Sequence, residues 1–164
     1  MSQRIVIDSK VFAREARLLE GELPVASLGR VLDLVVDSTG RLRYRIEGLV
    51  DPRGKLQIRL WLDGSLSVRC QRCLERVIYP VNICSLLEFV DDENELTQED
   101  LEDDSRDFLA ADKELDVVAL IEDEIILDLP AAPRHDSCAL PVAGFEAGKV
   151  SPFSVLQGLT GKAS

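Results

Sequence analysis

The most specific chemistry in this 164-residue sequence is carried by two short pairs of possible metal ligands. Cys70 and Cys73 are separated by two residues, and so are His135 and Cys138. Two intervening residues let both ligand atoms of a pair converge on one ion at the end of a strand, and structural zinc takes four such ligands. The spacing is compatible with one tetrahedral zinc site built from these four side chains, with Cys84 as a spare ligand, and no other cofactor is expected. The alternative is ordinary thiols and a surface histidine; a thioredoxin-like redox pair fits less well, because Cys70 and Cys73 lie between predicted antiparallel strands.

A second candidate site is a row of arginines on predicted strands. Period-two alternation places basic residues opposite to the apolar side of each strand, and a tryptophan shares their surface. Guanidinium groups bind phosphate, and an exposed indole offers a platform on which bases stack. The predicted RNA-contacting residues are Arg41, Arg43, Arg45, Arg59, Trp61, Arg69 and Arg72. The alternative is a plain solvated face, which antiparallel sheets commonly have.

The charge is divided unevenly along the chain. The 41 residues from Glu88 to Asp128 hold 18 acidic and two basic side chains, a net charge of −16, whereas the remainder carries +5. Carboxylates between Glu93 and Asp107 are suited to attracting a basic protein or repelling non-specific RNA, and the alternative is a solvated linker. The cationic strands and the acidic segment are expected to lie apart.

Several classes of function fit the sequence poorly. It contains one histidine and none of the phosphate-binding, nucleophile-elbow or zinc-protease motifs, so we predict that the protein is not an enzyme and takes no small-molecule substrate. No apolar run approaches the roughly 20 residues that cross a bilayer. The N-terminus has no export signal, so we expect a cytoplasmic protein without a membrane partner and with thiols or metal ligands rather than disulfides.

These candidate sites must be positioned by an α+β fold. Alternating apolar residues from about 28 to 90 predict a bent antiparallel sheet or a small barrel, with a hairpin at Asp63-Gly64 and an edge or bulge at Pro80. A helix-like stretch precedes it, with Val11, Phe12, Ala16 and Leu19 near one face.

The sheet is predicted to stop at about Val90. Residues 91–112 are expected to form an acidic loop or partly disordered excursion. Helical spacing over 115–129, stopped by Pro130, predicts the helix that covers the sheet, and short helices flank it, one of them beginning at Pro152. Residues 1–164 are expected to form one domain.

Three stretches, in this order, resemble the bacterial YceD family, which is associated with accumulation of large-subunit ribosomal RNA. They are residues 67–74, which include Cys70-Gln71-Arg72-Cys73; residues 115–138, from Leu115-Asp116 through Asp128-Leu129-Pro130 to His135-Asp136-Ser137-Cys138; and residues 152–156. The resemblance implies a cytoplasmic, non-enzymatic factor in synthesis, processing or stability of large-subunit ribosomal RNA. Its implied partners are that RNA or its precursor, and a basic ribosomal protein. Some relatives carry further cysteines near Cys138, whereas this chain has only Cys138 with His135.

Overall fold

The computed structural model describes residues 4–92, 94 and 96–139, so the helix predicted from Pro152 lies outside the described residues. The elements in chain order are β1 (Val6–Ile7), α1 (Ser9–Arg14), β2 (Leu18–Pro24), a 3-10 turn (Val25–Ser27), β3 (Val35–Asp37), β4 (Arg41–Val50), β5 (Leu56–Arg69), β6 (Arg76–Val90), α2 (Gln98–Leu101), β7 (Asp107–Ala110), β8 (Leu115–Asp116) and α3 (Val117–Asp128). This is the predicted α+β class.

The main sheet has the strand order β2-β4-β5-β6-β7, and β3 pairs with the far end of β5. Its neighbours are antiparallel except β6 and β7, which are parallel. The edge strands β2 and β7 do not pair with each other, so the sheet is bent and open rather than a closed barrel. A separate two-stranded ribbon joins β1 to β8.

The alternation read from the sequence sets the two faces of the central strands. In β4, Leu42, Tyr44 and Ile46 are buried while the arginines between them are exposed. In β5, Ile58 and Leu60 have no exposed surface and belong to the same core. Because successive side chains of a strand point to opposite faces, the arginines must lie on the outer face of the sheet.

The predicted hairpin at Asp63-Gly64 is wrong, because β5 runs through it as one strand of 14 residues. A type I′ turn needs positive φ at both turn residues, and here only Gly64 has one, at 155°. Gly64 instead allows a close approach, since a Cβ there would lie 2.6 Å from Leu42 Cδ2. The long strand thereby passes from its pairing with β4 to its pairing with β3.

The N-terminal helix is shorter than predicted. Helix α1 ends at Arg14, Ala16 has a φ of 48°, and Leu18 begins β2, so the expected apolar stripe through Leu19 does not form. Gly48 on β4 faces α1, and a Cβ there would lie 2.3 Å from Phe12 O. The sequence after Ala16 is extended because it pairs with β4.

The predicted covering helix is confirmed as α3. Asp116 caps it by accepting hydrogen bonds from the N–H groups of Val118 and Ala119 at 3.0 and 3.3 Å. Ile121 and Ile125 are buried in the core, and Tyr79 on β6 donates to the Asp128 carbonyl at 3.0 Å. The helix therefore lies on the inner face of the sheet and ends just before the chain segment that carries His135.

The prediction that the sheet stops near Val90 is also wrong. Residues 107–110 form β7, which pairs in parallel with residues 87–90 of β6. Two parallel neighbouring strands need a crossover connection between them. Residues 91–106, which we call the acidic crossover, supply it. Helix α2 lies within that segment, and Thr97 and Asp100 form a capping box at its start.

Candidate metal centre and arginine–tryptophan face

The four predicted metal ligands come together at the end of β5. The candidate ligand atoms of Cys70, Cys73, His135 and Cys138 all lie within 4.8 Å of one another. Cys70 Sγ is 3.7 Å from Cys138 Sγ, and Cys73 Sγ is 3.4 Å from His135 Nδ1. Tetrahedral zinc with ordinary bond lengths requires separations of about 3.8 Å between two sulfurs and about 3.6 Å between sulfur and nitrogen. The cluster therefore fits a four-ligand, closed zinc site of the structural type.

A tight turn after β5 presents the first two ligands. The Cys70 N–H donates to Glu75 O at 2.8 Å, and the Leu74 N–H donates to Cys70 O at 3.0 Å. Leu74 completes the turn with a φ of 66°. The turn aims the N–H groups of Arg72 and Cys73 at Cys70 Sγ, at 3.4 and 3.5 Å.

These backbone donors favour the thiolate form that metal binding needs. The N–H of Cys73 is the largest influence on Cys70 and, together with that of Arg72, lowers its pKa from 9.0 to about 5, against the opposing effect of burial. Burial is the main reason that the pKa of Cys138 is raised, and the neighbouring sulfurs add to it. Without a metal, the thiolate form is therefore favoured at Cys70 and disfavoured at Cys138.

The other two ligands arrive on the segment that follows α3. The Gln71 N–H donates to Pro133 O at 2.8 Å and holds this segment against the turn. His135 Nε2 lies 2.9 Å from Arg76 O, so this nitrogen carries the proton and donates. This contact is the main reason that the pKa of His135 is raised. Nδ1 is left with its lone pair facing Cys73, as in a metal-bound imidazole whose other nitrogen donates to a backbone carbonyl.

The outer face of the sheet carries the second candidate site. Arg45 and Arg59 lie over the indole of Trp61, with guanidinium carbons 5.3 and 5.7 Å from the ring centroid. Register explains this, because Arg45 is opposite Trp61 and Arg59 precedes it by two residues on the same face. The three planar groups form one unit, which we call the Arg45–Trp61–Arg59 unit. Cation–π contact of this kind contributes about 0.5–1 kcal/mol at exposed sites.

The other arginines of this face are matched by carboxylates. Arg43 forms an ion pair with Asp63, its partner across the strands, and Arg41 lies 3.8 Å from Glu22. Charges on the face therefore alternate, instead of forming the uniformly cationic surface that strand parity suggested. A shallow groove of about 550 Å³ opens over this region.

Two of the predicted RNA-contacting residues lie elsewhere. Arg69 is eight residues beyond Trp61 on β5, a separation of up to about 26 Å along a strand. Arg72 lies between the two cysteines of the turn. The structure therefore divides the predicted set into a group on the sheet face and a group beside the candidate metal centre.

The acidic crossover packs against the same outer face, which corrects the expectation that the two lie apart. Arg106, with only 12% of its side chain exposed, lies 3.5 Å from Glu88 and 3.1 Å from Asp100. Glu88 is itself buried and accepts a hydrogen bond from Gln57 at 3.0 Å. Gln57 is the register partner of Glu88, and Arg59 is the next residue of β5 on the same outer face. The acidic crossover therefore packs beside the Arg45–Trp61–Arg59 unit.

Sequence reasoning missed this cluster around Arg106. The available signal was that Arg106 is the single cation between Glu88 and Asp112. A lone arginine within so acidic a run is a candidate hub for the carboxylates around it. Two carboxylates of α3 are also buried: Glu122 accepts from the Arg30 N–H at 3.0 Å, and Glu124 accepts from the Ser85 hydroxyl.

Fold and sites together define an α+β protein whose bent sheet carries a Cys3His cluster of the metal-binding type and an arginine–tryptophan face. Residues 58–160 match the family described as "Large ribosomal RNA subunit accumulation protein YceD". The match covers more than half of the sequence, so the chain belongs to the YceD family. This family is named for a role in accumulation of large-subunit ribosomal RNA and is not a known enzyme family.

No solved structure matches the chain. Among the residues that the structure describes, no helix has both the length and the apolar character needed to span a bilayer.

Proposed function

We propose that this protein is a cytoplasmic, non-enzymatic accessory factor in synthesis, processing or stability of large-subunit ribosomal RNA, and that it acts by binding that RNA or its precursor. The observation that carries the proposal is the Arg45–Trp61–Arg59 unit. Within the described part of the chain, neither of its arginines has a carboxylate within ion-pairing distance. Guanidinium groups beside an indole, exposed at Arg45 and half-buried at Arg59, combine phosphate contact with base stacking, which is the chemistry that binds RNA.

The remaining predicted residues have supporting roles in this proposal. Arg41 and Arg43 flank the unit, and an incoming phosphate competes with their carboxylate partners. Arg69 and Arg72 provide a second contact beside the Cys3His cluster, where both are exposed. In this proposal, residues 1–164 form one domain.

Crosslinking in growing cells tests the proposed partner directly. The protein is crosslinked to RNA, and the attached RNA is sequenced, with the triple variant R45Q/R59Q/W61A processed in parallel. Enrichment of large-subunit RNA by the wild-type protein and its loss in the triple variant are expected. Equal recovery from both proteins, or no enrichment of large-subunit RNA, would exclude the sheet face as the RNA-binding site.

We also propose that Cys70, Cys73, His135 and Cys138 hold one structural zinc ion. Such an ion would supply no catalytic chemistry, because a site with four protein ligands leaves no open position. Its effect is to cross-link the segment after α3 to the end of β5. Elemental analysis of protein purified without chelator is expected to give one zinc per chain, with the same result for the control C84S, since Cys84 is exposed and outside the cluster. A zinc content near zero for the wild-type chain would exclude the site.

A second candidate function is supported by the ordering of the acidic crossover. Thr97 and Arg106 hold α2 in place, and Glu99, Glu102 and Asp104 nearby are exposed. Such a prearranged anionic surface suits a basic ribosomal protein. The variant E99Q/E102Q/D104N keeps Arg106 and its buried partners, so it separates the two functions. RNA binding that survives this change favours the sheet face, whereas loss of a basic-protein partner from pull-downs favours the acidic surface.

A further inference from the structure

The cations available on the sheet face are confined to one small spot. Of the cations there, Arg41, Arg43 and Lys55 are matched by carboxylates, whereas Arg45 and Arg59 lie over the indole and have no carboxylate within 4.0 Å among the described residues. Both free guanidinium groups lie within 6 Å of one ring centroid. The face therefore offers two phosphate contacts around one stacking platform.

Carboxylates border this spot on two sides. On the β2 side, Glu20 is the register partner of Arg45, and Glu22 lies next to it across from Arg43. At the far end, Arg59 is the register partner of Glu47, and the acidic crossover packs one position beyond it through Glu88. Phosphates that extended past Arg45 and Arg59 in these directions would meet like charges.

The side of this spot that faces β6 is neutral. The residues of β6 that lie opposite Asp63, Trp61 and Arg59 are Asn82, Cys84 and Leu86. They carry no charge and point to the same outer face, since paired residues of neighbouring strands share a face. A strand of nucleotides thus has one open path from Trp61, across β6.

From this geometry we infer that the sheet face binds single-stranded RNA and excludes duplex RNA; the inference rests on the proposed RNA-binding function and names its substrate class. A duplex is stiff, presents rows of phosphates at fixed spacing and keeps its bases stacked inside. Laid on this face, it would place phosphates over Glu20, Glu47 and the acidic crossover, and no base would reach Trp61. An unpaired nucleotide stacks on the indole, and its two neighbouring phosphates reach Arg45 and Arg59.

For an RNA too short to span from Trp61 to Arg69, the salt dependence of binding follows from the two contacts at Arg45 and Arg59, because Arg41 and Arg43 are already matched by carboxylates. Each phosphate neutralised on a single strand contributes about −0.7 to the slope of log K against log salt, so a slope near −1.4 is expected. Removing one arginine should bring the slope to about −0.7 and weaken binding about fivefold at 0.1 M salt, which is the factor that a slope of 0.7 produces over a tenfold salt range. Removing the indole should weaken binding about tenfold or more without changing the slope, because the indole is neutral.

The experiment uses the intact protein, a single-stranded RNA of large-subunit sequence that is too short to span from Trp61 to Arg69, and the same sequence held as a duplex in the stem of an RNA hairpin. Trp61 is the only tryptophan in the chain, so quenching of intrinsic fluorescence reports stacking at the site itself. Anisotropy of labelled RNA gives the affinity from 0.05 to 0.3 M salt. The variants are R45Q, R59Q and W61A, and R14Q is the matched control, because Arg14 is exposed on α1 and has no ion pair within the described residues.

The expected result is quenched fluorescence and a slope near −1.4 with the single strand, at least tenfold weaker binding of the duplex, and wild-type behaviour of R14Q. The variant E99Q/E102Q/D104N is expected to gain at least threefold in duplex affinity at 0.1 M salt. Equal affinity for duplex and single strand, a slope much steeper than −1.4, or no gain in that variant would overturn the inference while leaving RNA binding itself intact. Failure of the wild-type protein to bind either RNA would overturn the proposed function and this inference together.

Discussion

Cutting the link between the two halves of the Cys3His cluster should lower the stability of the whole protein. The variant H135A/C138S removes both ligands on the segment after α3 and leaves Cys70 and Cys73 on the turn. The matched control is C84S, which also removes a thiol but lies outside the cluster and is exposed. Both proteins are prepared with one equivalent of zinc.

The size of the effect follows from the length of chain that the metal closes. Cys70 and Cys138 are 68 positions apart. In the chain-entropy description of cross-links, closing a loop of that length removes about 4 kcal/mol of conformational freedom from the unfolded chain at 25 °C. For a protein of this size, 1 kcal/mol corresponds to about 2–4 °C in Tm, so a decrease of about 8–16 °C is expected.

Thermal unfolding followed by circular dichroism measures the shift, and zinc content is determined on the same samples. The wild-type protein should lose the same stability when zinc is removed with a chelator, whereas H135A/C138S should be insensitive to the chelator. An unchanged Tm in H135A/C138S, or a decrease of similar size in C84S, would show that the cluster does not cross-link the chain.

Three further predictions concern the scaffold. Gly48→Ala should lower the free energy of unfolding by about 1–3 kcal/mol in urea titrations, because the new methyl group would overlap the backbone of α1, whereas Gly29→Ala, with nothing within 4 Å, should change it by less than about 0.5 kcal/mol. Burial raises the pKa of Glu124, so the wild-type chain loses stability as pH rises through that pKa; the stability of Glu124→Gln relative to wild type should therefore increase from pH 4 to pH 7, and a flat difference would contradict the assignment. Arg106→Gln should cost about 3 kcal/mol because it leaves the buried Glu88 with only Lys55, 4.0 Å away, as a neighbouring cation, and adding Glu88→Gln should recover part of that loss in a double-mutant cycle.

The sequence was sufficient for features that depend on residues close together in the chain. Alternation along β4 identified which side of the strand carries the arginines, and helical spacing located α3 to within two residues at its start and one at its end. The two-residue spacing of each ligand pair also named all four members of the Cys3His cluster. A periodic pattern contains this information because the geometry of a strand or helix repeats locally.

Other features depended on which strands become neighbours and in what register. The pattern around Gly64 is compatible with a turn or with a continuous strand, and the pairing of β5 with β4 and β6 makes the strand the outcome. Likewise, Arg43 pairs with a carboxylate and Arg45 with an indole because of the partners that β5 sets opposite them. Alternation within one strand holds no information about those partners.

The sequence by itself thus determined the chemistry available to this protein: four metal ligands, a row of arginines with one tryptophan, and an acidic run. The tertiary structure alone decided how that chemistry is combined. It brought the ligand pairs together across 61 intervening residues, neutralised two of the sheet arginines and folded the acidic run onto the face that carries the other two. The physical reason is that charge pairing and burial depend on distances between remote residues, which the strand register and the crossover set and no local pattern encodes.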